Sequence, residues 1–142
     1  ATGKKVPEIL IQEMIEPKVE FFIGANREGD LNIYSKEGFG FGHLIAIGKG
    51  GIYTEIHRDI KHILVPESIQ NITKKLDDTK VVKIIDGYRG KQELAKEKVI
   101  ETIDKVQKML VTYPEIVSID MNPVMVTEKR AVAVDIKIYI KK

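Results

Sequence analysis

One amphipathic segment, residues 91–113, constrains the fold more than any other feature of the sequence. Its apolar residues recur every three or four positions, the spacing of one helix face: Ala95, Val99, Ile103, Val106 and Leu110. Pro114 follows and predicts the end of the helix. Because a helix with one apolar face needs another surface to bury it, we expect the rest of the chain to supply that surface.

Short β-rich runs lie on both sides of this helix. Those before it predict strands at residues 8–15, 19–28, 31–35, 44–47, 52–56 and 62–66. The run at 44–47 is continuously apolar, which predicts a strand buried on both faces. Two short helices, 68–75 and 79–86, and two final strands, 116–126 and 130–140, complete the set. The order of strands, helices and strands indicates an α+β fold, with a mostly antiparallel sheet packed with helices.

Length and composition bound the class of protein. The 142 residues are about one domain's worth, and 43% of them are hydrophobic, enough for a core. The absence of cysteine excludes disulfides, thiolate metal sites and a cysteine nucleophile. A net charge of +2 and the lack of a long apolar run argue against nucleic acid or membrane as a partner. We expect a cytoplasmic protein, and its many Lys, Glu and Ile residues are weakly typical of a thermophile.

The stretch from Ser118 to Ile138 predicts two strands joined by a tight turn, yet it carries polar side chains among apolar neighbours. Strand side chains alternate between faces, so Asp120 and Asn122 share one face. On the returning strand the same alternation groups four residues: Ala131, Ala133, Asp135 and Lys137. The two alanines would leave room beside the polar residues for a bulky ligand.

A turn centred between Glu128 and Lys129 makes the paired residue numbers sum to 257, so that Asn122 falls opposite Asp135. Directly opposed Cβ atoms lie about 4.5–5.5 Å apart, at which two oxygen ligands can hold one Mg²⁺ ion. Pro123 cannot donate a ladder hydrogen bond and favours a bulge. A half-exposed sheet with solvated carboxylates explains the same spacing, and from spacing alone it is the commoner arrangement.

A glycine-rich segment, Gly48-Lys49-Gly50-Gly51, joins two of the predicted strands. Glycine permits positive φ and a close approach of backbone N–H groups to an anion, and Lys49 adds a positive charge. The segment therefore predicts a phosphate-facing loop, although glycine pairs are equally typical of an ordinary hairpin turn. It lacks the spacer and the Lys-Ser/Thr ending of a Walker A motif.

Several collinear segments carry a resemblance to one family. "ILIQEMI" is similar to "VLVQEMV", and "FGHLIAIGKGGIYTEIHRDIKHILVP" to "FGPVVMFGLGGIFVEVLKDVSFRLAP". "IIDGYRGK" is similar to "LLEGYRGK", "YPEIVSIDMNPVMV" to "FPEIAELDINPLIV", and "AVDIK" to "AVDAR". The second sequence of each pair is that of the β subunits of ADP-forming acyl-CoA synthetases. The resemblance covers nearly the whole chain, and a more distant one links it to the β subunit of succinyl-CoA synthetase.

This resemblance implies the ATP-grasp fold, with residues 1–142 forming a single subdomain, and a site for ATP or ADP with Mg²⁺. It implies that Asn122 and Asp135 are the Mg²⁺ ligands, the two residues that the register brings together. It also implies that Glu13 lies in the hinge strand beside adenine, and that Glu20 contacts the nucleotide.

The remaining site residues follow from the same resemblance. Gly50 and Gly51 match the family's glycine loop, in which Lys49 replaces leucine. Asp120 matches the acidic residue that approaches a phosphorylated histidine, and Glu55 matches the acidic position just after the loop. Asp120 and Glu55 are therefore the candidate catalytic residues.

The family's reaction converts acyl-CoA, ADP and phosphate to acid, CoA and ATP, and a histidine on a CoA-binding α subunit carries the phosphoryl group. The resemblance therefore implies a hetero-oligomer with that subunit. The family's β subunits carry about ninety more N-terminal residues, which form the first ATP-grasp lobe. We expect that a chain without this lobe is inactive alone and is a fragment, an isolated subdomain or one piece of a split subunit.

Two other functions stay open at this point. One is a non-catalytic ATP-grasp-like module for binding or assembly, and the other is the synthetase-like domain of a protein acyltransferase. A non-catalytic module has no need of Asp120, Asn122 and Asp135 together, so their presence favours the ligase.

Overall fold

A computed structural model describes residues 8–29, 40–51 and 59–141 of the chain. Its strands are β1 (Val19–Gly29), β2 (Gly40–Lys49), β3 (Ile60–Leu64), β4 (Ile116–Val126), β5 (Ala131–Ala133) and β6 (Ile136–Ile140). Its helices are α1 (Ile69–Asp77), α2 (Val82–Ile85) and α3 (Lys96–Thr112), with a 3-10 turn at Tyr88–Gly90. The strands predicted at 31–35 and 52–56 lie outside the described residues.

The six strands form one sheet in the order β3-β2-β1-β4, and every pairing is antiparallel. β5 and β6 both pair with β4, β5 near the hairpin turn and β6 farther from it. They form one interrupted strand along that edge of the sheet. The predicted α+β architecture, a mostly antiparallel sheet packed with helices, is confirmed.

The core lies between the helices and one face of the sheet. In β1, Phe21 and Ile23 are fully buried, whereas the alternate residues Glu20 and Phe22 stay partly exposed. As predicted, α3 turns its apolar residues into this core: Val99, Ile103, Val106 and Leu110. We call the side of the sheet that carries Glu20 and Phe22 the open face.

The central run of β2 also has an open side, so the prediction of a strand buried on both faces is wrong. Ile45 and Ile47 are fully buried, but Leu44 and Ala46 are only partly buried. The helices therefore cover only one face of this strand. Its other face, which carries Leu44 and Ala46, is apolar but only partly covered.

The first predicted strand, residues 8–15, is not formed: no strand is present among residues 8–17. Ile9, Ile11 and Met14 are 78%, 89% and 87% exposed. A strand requires a partner edge for its backbone hydrogen bonds, and within the described residues none pairs with this segment. Its apolar pattern alone could not supply that partner.

Helices α2 and α3 begin later than predicted, and the residues just before each of them bond to distant parts of the chain. The N–H groups of Lys80 and Val81, just before α2, donate to the Asp59 carboxylate at 2.7–3.0 Å, and α2 is a single turn. The N–H groups of Leu94 and Ala95 donate to Ile85 and Thr127, so α3 starts at Lys96. Within the described parts of the chain, no helix is long and apolar enough to cross a membrane.

Candidate functional site

The hairpin register agrees with the prediction. The paired residues Val126–Ala131 and Val124–Ala133 in β5, and Met121–Ile136 and Ile119–Ile138 in β6, all sum to 257. The turn is closed by Thr127, whose N–H donates to the carbonyl of Arg130 at 2.9 Å. Asn122 and Asp135 therefore lie opposite each other, in the gap between the two paired stretches.

A bulge at this gap changes which side chains face the core. Between Phe21 and Ile23, β1 advances two residues while β4 advances three, from Val124 to Met121. Val124 and Met121 consequently both face the core, at 0% and 6% exposure. The bulge contains Pro123, as predicted.

The same three-residue step separates β5 from β6, and it overturns the predicted grouping of the alanines. Ala131 and Ala133 pack against the core opposite the buried residues of β4. Asp135 and Lys137 are exposed, and the Lys137 Nζ lies 3.6 Å from the Asp135 Oδ2. The alanines therefore do not open space beside Asp135, because the bend between the strands exchanges the faces.

The glycine loop meets the hairpin through a direct hydrogen bond. The N–H of Gly51 donates to the Oδ1 of Asn122 at 3.1 Å, across 71 positions of sequence. The N–H of Gly50 donates to the carbonyl of Glu20 at 2.9 Å. Gly50, Gly51, Asn122 and Glu20 thus form one group at the end of β2.

The backbone conformation of position 51 favours glycine. Its φ of +96° lies in a region that favours glycine over residues with a Cβ atom. A methyl group on Gly51 would also lie 2.7 Å from the Oε2 of Glu20, so the carboxylate of Glu20 sits directly against the turn. Backbone N–H groups and oxygen ligands are therefore adjacent here.

Other predicted residues lie near this group or away from it. Asp120 is exposed two residues before Asn122 and pairs with Gly24 of β1. Lys49 pairs with the buried Phe21, which puts it on the helix side of the sheet rather than with Asn122. There it lines a cavity of about 200 Å³ together with Asp59 and Lys80. Glu55 lies outside the described residues.

Glu13 lies beside the hairpin turn. The guanidinium of Arg130 donates to both of its carboxylate oxygens, at 2.7 and 3.3 Å. These hydrogen bonds, and the charge of Arg130, hold the pKa of Glu13 below its ordinary value. Sequence reasoning missed Arg130, since 117 positions separate the partners and no local pattern links them.

The side chains of Asn122 and Asp135 fit a hard divalent cation that takes most of its ligands from water and phosphate. In residues 8–29, 40–51 and 59–141, no three His, Asp or Glu side chains are grouped as a complete metal cage. One amide oxygen and one carboxylate from opposed strands are what Mg²⁺ takes when water and phosphate oxygens supply the rest. Asn122 and Asp135 meet that description.

Comparison with known protein families identifies the family of this chain. A family profile described as an ATP-grasp domain matches residues 1–140. The chain belongs to the ATP-grasp family. The ATP-grasp fold that the sequence resemblance implied is thereby confirmed.

Similar ATP-grasp chains occur in acetate–CoA ligases. The β subunit of the ADP-forming acetate–CoA ligase II of Pyrococcus furiosus is 30% identical over 136 residues, 94% of this chain and 53% of that subunit. The ADP-forming acetate–CoA ligase I of Archaeoglobus fulgidus is 24% identical over 136 residues, 96% of this chain and 18% of that protein. The ATP-grasp chain described here thus spans about half of one relative and less than a fifth of the other.

A solved structure shows the same fold. The dinucleotide-forming acetyl-coenzyme A synthetase 1 of Ca. Korarchaeum cryptofilum superposes with a TM-score of 0.78 and 28% sequence identity. The match covers 92% of this chain and 56% of that one. That protein was solved with coenzyme A and Mg-AMPPCP, with its phosphohistidine segment pointing towards the nucleotide-binding site.

Proposed function

We propose that this ATP-grasp chain is the part of an ADP-forming acid–CoA ligase that binds the nucleotide phosphates and Mg²⁺. The observation that carries the proposal is the hydrogen bond from the Gly51 N–H to the Asn122 Oδ1. It brings a glycine turn into contact with a metal-ligand candidate, and a phosphate–metal complex needs both a close backbone approach and a metal ligand. The similarity to acetate–CoA ligases supports the choice of reaction.

Each residue of the group has a role in this proposal. The glycine turn, Gly50 and Gly51, lies against the phosphates, with its N–H groups held by Glu20 and Asn122. Glu13 and Glu20 contact the rest of the nucleotide. Asn122 and Asp135 hold the cation. Bound Mg²⁺ would offset the negative charge of the phosphoryl group as it is transferred.

Two acidic residues are proposed to act on the phosphoryl transfer itself. Asp120 is exposed on the same strand as Asn122, where a phosphorylated histidine of a CoA-binding partner subunit would approach. Glu55 is its proposed companion after the glycine loop. The intact ligase would be a hetero-oligomer that also contains the first ATP-grasp lobe, and this chain alone would be inactive.

Substitution of the two metal-ligand candidates tests the proposal. In a ligase assembled from this chain, the first ATP-grasp lobe and the CoA-binding subunit, Asn122→Ala and Asp135→Ala should each abolish ATP formation from acyl-CoA. Circular dichroism should show an unchanged fold, since Asp135 is exposed and Asn122 lies at a bulge. The matched control is Lys137→Ala, which removes the neighbour of Asp135 and should leave the rate within about twofold, as surface changes usually do.

Wild-type rates in either variant would refute the assignment of the metal ligands. A direct binding measurement is the second check: by calorimetry, this chain alone should bind Mg-ADP weakly or not at all. Micromolar affinity would contradict the proposal that a further lobe completes the site.

A further inference from the structure

β6 is an exposed edge strand in which isoleucines alternate with polar or aromatic residues. Its isoleucines, Ile136, Ile138 and Ile140, are 50%, 46% and 58% exposed, and Tyr139 is 62% exposed. The inner edge of β6 pairs with β4, and within the described residues no strand pairs with its outer edge. Such an edge, with unpaired N–H and C=O groups and apolar side chains, is a template for another strand.

We infer that β6 pairs with β6 of a second copy of this chain, antiparallel, about a twofold axis through Ile138. The two sheets would then form one continuous sheet across the dimer. The proposal uses the backbone edge and the side chains of residues 135–141, and it does not rest on the proposed ligase function.

The geometry of a twofold pairing leaves few registers. A twofold axis perpendicular to the sheet keeps the helices of both copies on the same side of the joined sheet. Each residue must therefore pair with a residue of the second copy whose side chain lies on the same face. Isoleucines therefore meet isoleucines, and polar residues meet polar residues. Within β6 this condition allows only axes that pass through a residue, and only axes through Lys137, Ile138 or Tyr139 pair three or more residues of the strand.

The charges on the edge select one of these three registers. An axis at Lys137 puts that lysine opposite its own copy, and an axis at Tyr139 puts Lys137 opposite Lys141 twice. Like charges directly opposed across strands destabilise the pairing. An axis at Ile138 avoids both conflicts.

The remaining register is complementary at each position. Asp135 lies opposite Lys141 of the second copy, and Lys137 lies opposite Tyr139. On the other face Ile136 meets Ile140, and Ile138 meets itself. Asp135 is already 3.6 Å from Lys137 within one chain, so Lys141 of the second copy would add a second unlike charge. Edge lysines thus exclude the wrong registers and leave this one.

Disulfide trapping tests the register directly, because the chain has no cysteine. In Ile138→Cys, the two Cα atoms would lie about 4.5–5.5 Å apart, within reach of a disulfide. In the matched control Ile140→Cys, the two cysteines would be four residues out of register, about 13 Å apart. Both sites are about half exposed, so neither change should unfold the protein.

The experiment uses mild oxidation of the whole chain in EDTA, which keeps metal away from Asp135, followed by non-reducing electrophoresis. Ile138→Cys should give mostly disulfide-linked dimer, and Ile140→Cys should give mostly monomer. Equal yields for the two variants, or no disulfide in Ile138→Cys, would overturn the proposed register.

Sedimentation of the unmodified chain is the second measurement. The wild type should show a concentration-dependent monomer–dimer equilibrium, and Lys141→Glu should weaken it by about tenfold, because two like-charge pairs replace two unlike pairs. The double variant Asp135→Lys with Lys141→Glu should restore dimerisation. A wild type that remains monomeric at millimolar concentration would rule out the dimer.

Discussion

The two faces of the sheet are built from the same strands but have opposite compositions. On the helix side, Phe21, Ile23, Ile45 and Ile47 are fully buried under α1 and α3. On the open face, Glu20 lies against the glycine turn and Asp120 is exposed. The strands are thus stabilised from one side, and the other side is left available for polar groups.

This division teaches that stability and the candidate site are separable in this chain. The hydrophobic effect acts on the covered face, where large apolar side chains leave water. The open face contributes mainly backbone geometry: glycines, a bulge and polar oxygens at defined positions. Substitutions on the two faces should therefore differ in kind.

The largest effect is expected on the covered face. Leu110 of α3 is fully buried, so Leu110→Ala should lower the free energy of unfolding by about 2–5 kcal/mol through lost burial and a cavity. The neighbouring Val111 is 40% exposed, and Val111→Ala should change it by about 0.5 kcal/mol or less. Urea denaturation measures both, and similar losses would show that α3 does not bury one face.

Two strand glycines provide the next comparison. A methyl group on Gly48 would lie 2.3 Å from the carbonyl oxygen of Asp59, a backbone atom that cannot move away easily. A methyl group on Gly24 would meet the ring of Phe22 at 2.6 Å, and that side chain can rotate. We expect Gly48→Ala to destabilise by more than about 1 kcal/mol, because the native backbone cannot accept it, and Gly24→Ala to cost clearly less. Thermal unfolding of both variants measures the two losses of stability. A larger loss in Gly24→Ala than in Gly48→Ala would contradict the close contact between Gly48 and Asp59.

The buried histidine of β2 should make stability depend on pH. The His43 Nε2 lies 2.7 Å from the carbonyl oxygen of Ile116, so it carries the proton and donates. Burial lowers the pKa of His43 below its ordinary value near 6.5, partly opposed by that hydrogen bond. Below pH ~6.5, His43 therefore binds a proton more readily in the unfolded chain than in the folded chain.

Stability should accordingly fall as the pH drops from 7.5 to 5.5, by at most about 1.4 kcal/mol per pH unit from this group. His43→Gln should flatten this dependence, whereas His62→Gln, at an exposed position of β3, should retain it. Urea midpoints at several pH values measure the slope. An unchanged slope in His43→Gln would assign the dependence to other groups.

The smallest effect is expected at the proposed catalytic carboxylate. Asp120 is exposed on the open face, and Asp120→Ala should change the free energy of unfolding by about 0.5 kcal/mol or less. The matched comparison is Met121→Ala, one residue along the same strand and 6% exposed, which should cost about 2–5 kcal/mol. Equal losses of unfolding free energy for the two variants in urea denaturation would contradict the proposed difference between the two faces.

Local patterns in the sequence were enough to determine several parts of this protein. The apolar spacing of α3 and its end near Pro114 follow from helix periodicity. The bounds of β4 and the register that opposes Asn122 to Asp135 follow from strand alternation and from the position of one turn. These features depend on residues that are close in sequence, whose geometry is nearly independent of the rest of the chain.

The tertiary structure alone decided the features that join distant segments. Gly51 and Asn122 are 71 positions apart, and their hydrogen bond exists because β1 lies between β2 and β4 and aligns their ends. The Asp59 carboxylate accepts from the N–H of Lys80, just before α2, from 21 positions away. The bulge at Pro123 moves Ala131 and Ala133 to the core, because one extra residue reverses the faces of a strand with a period of two.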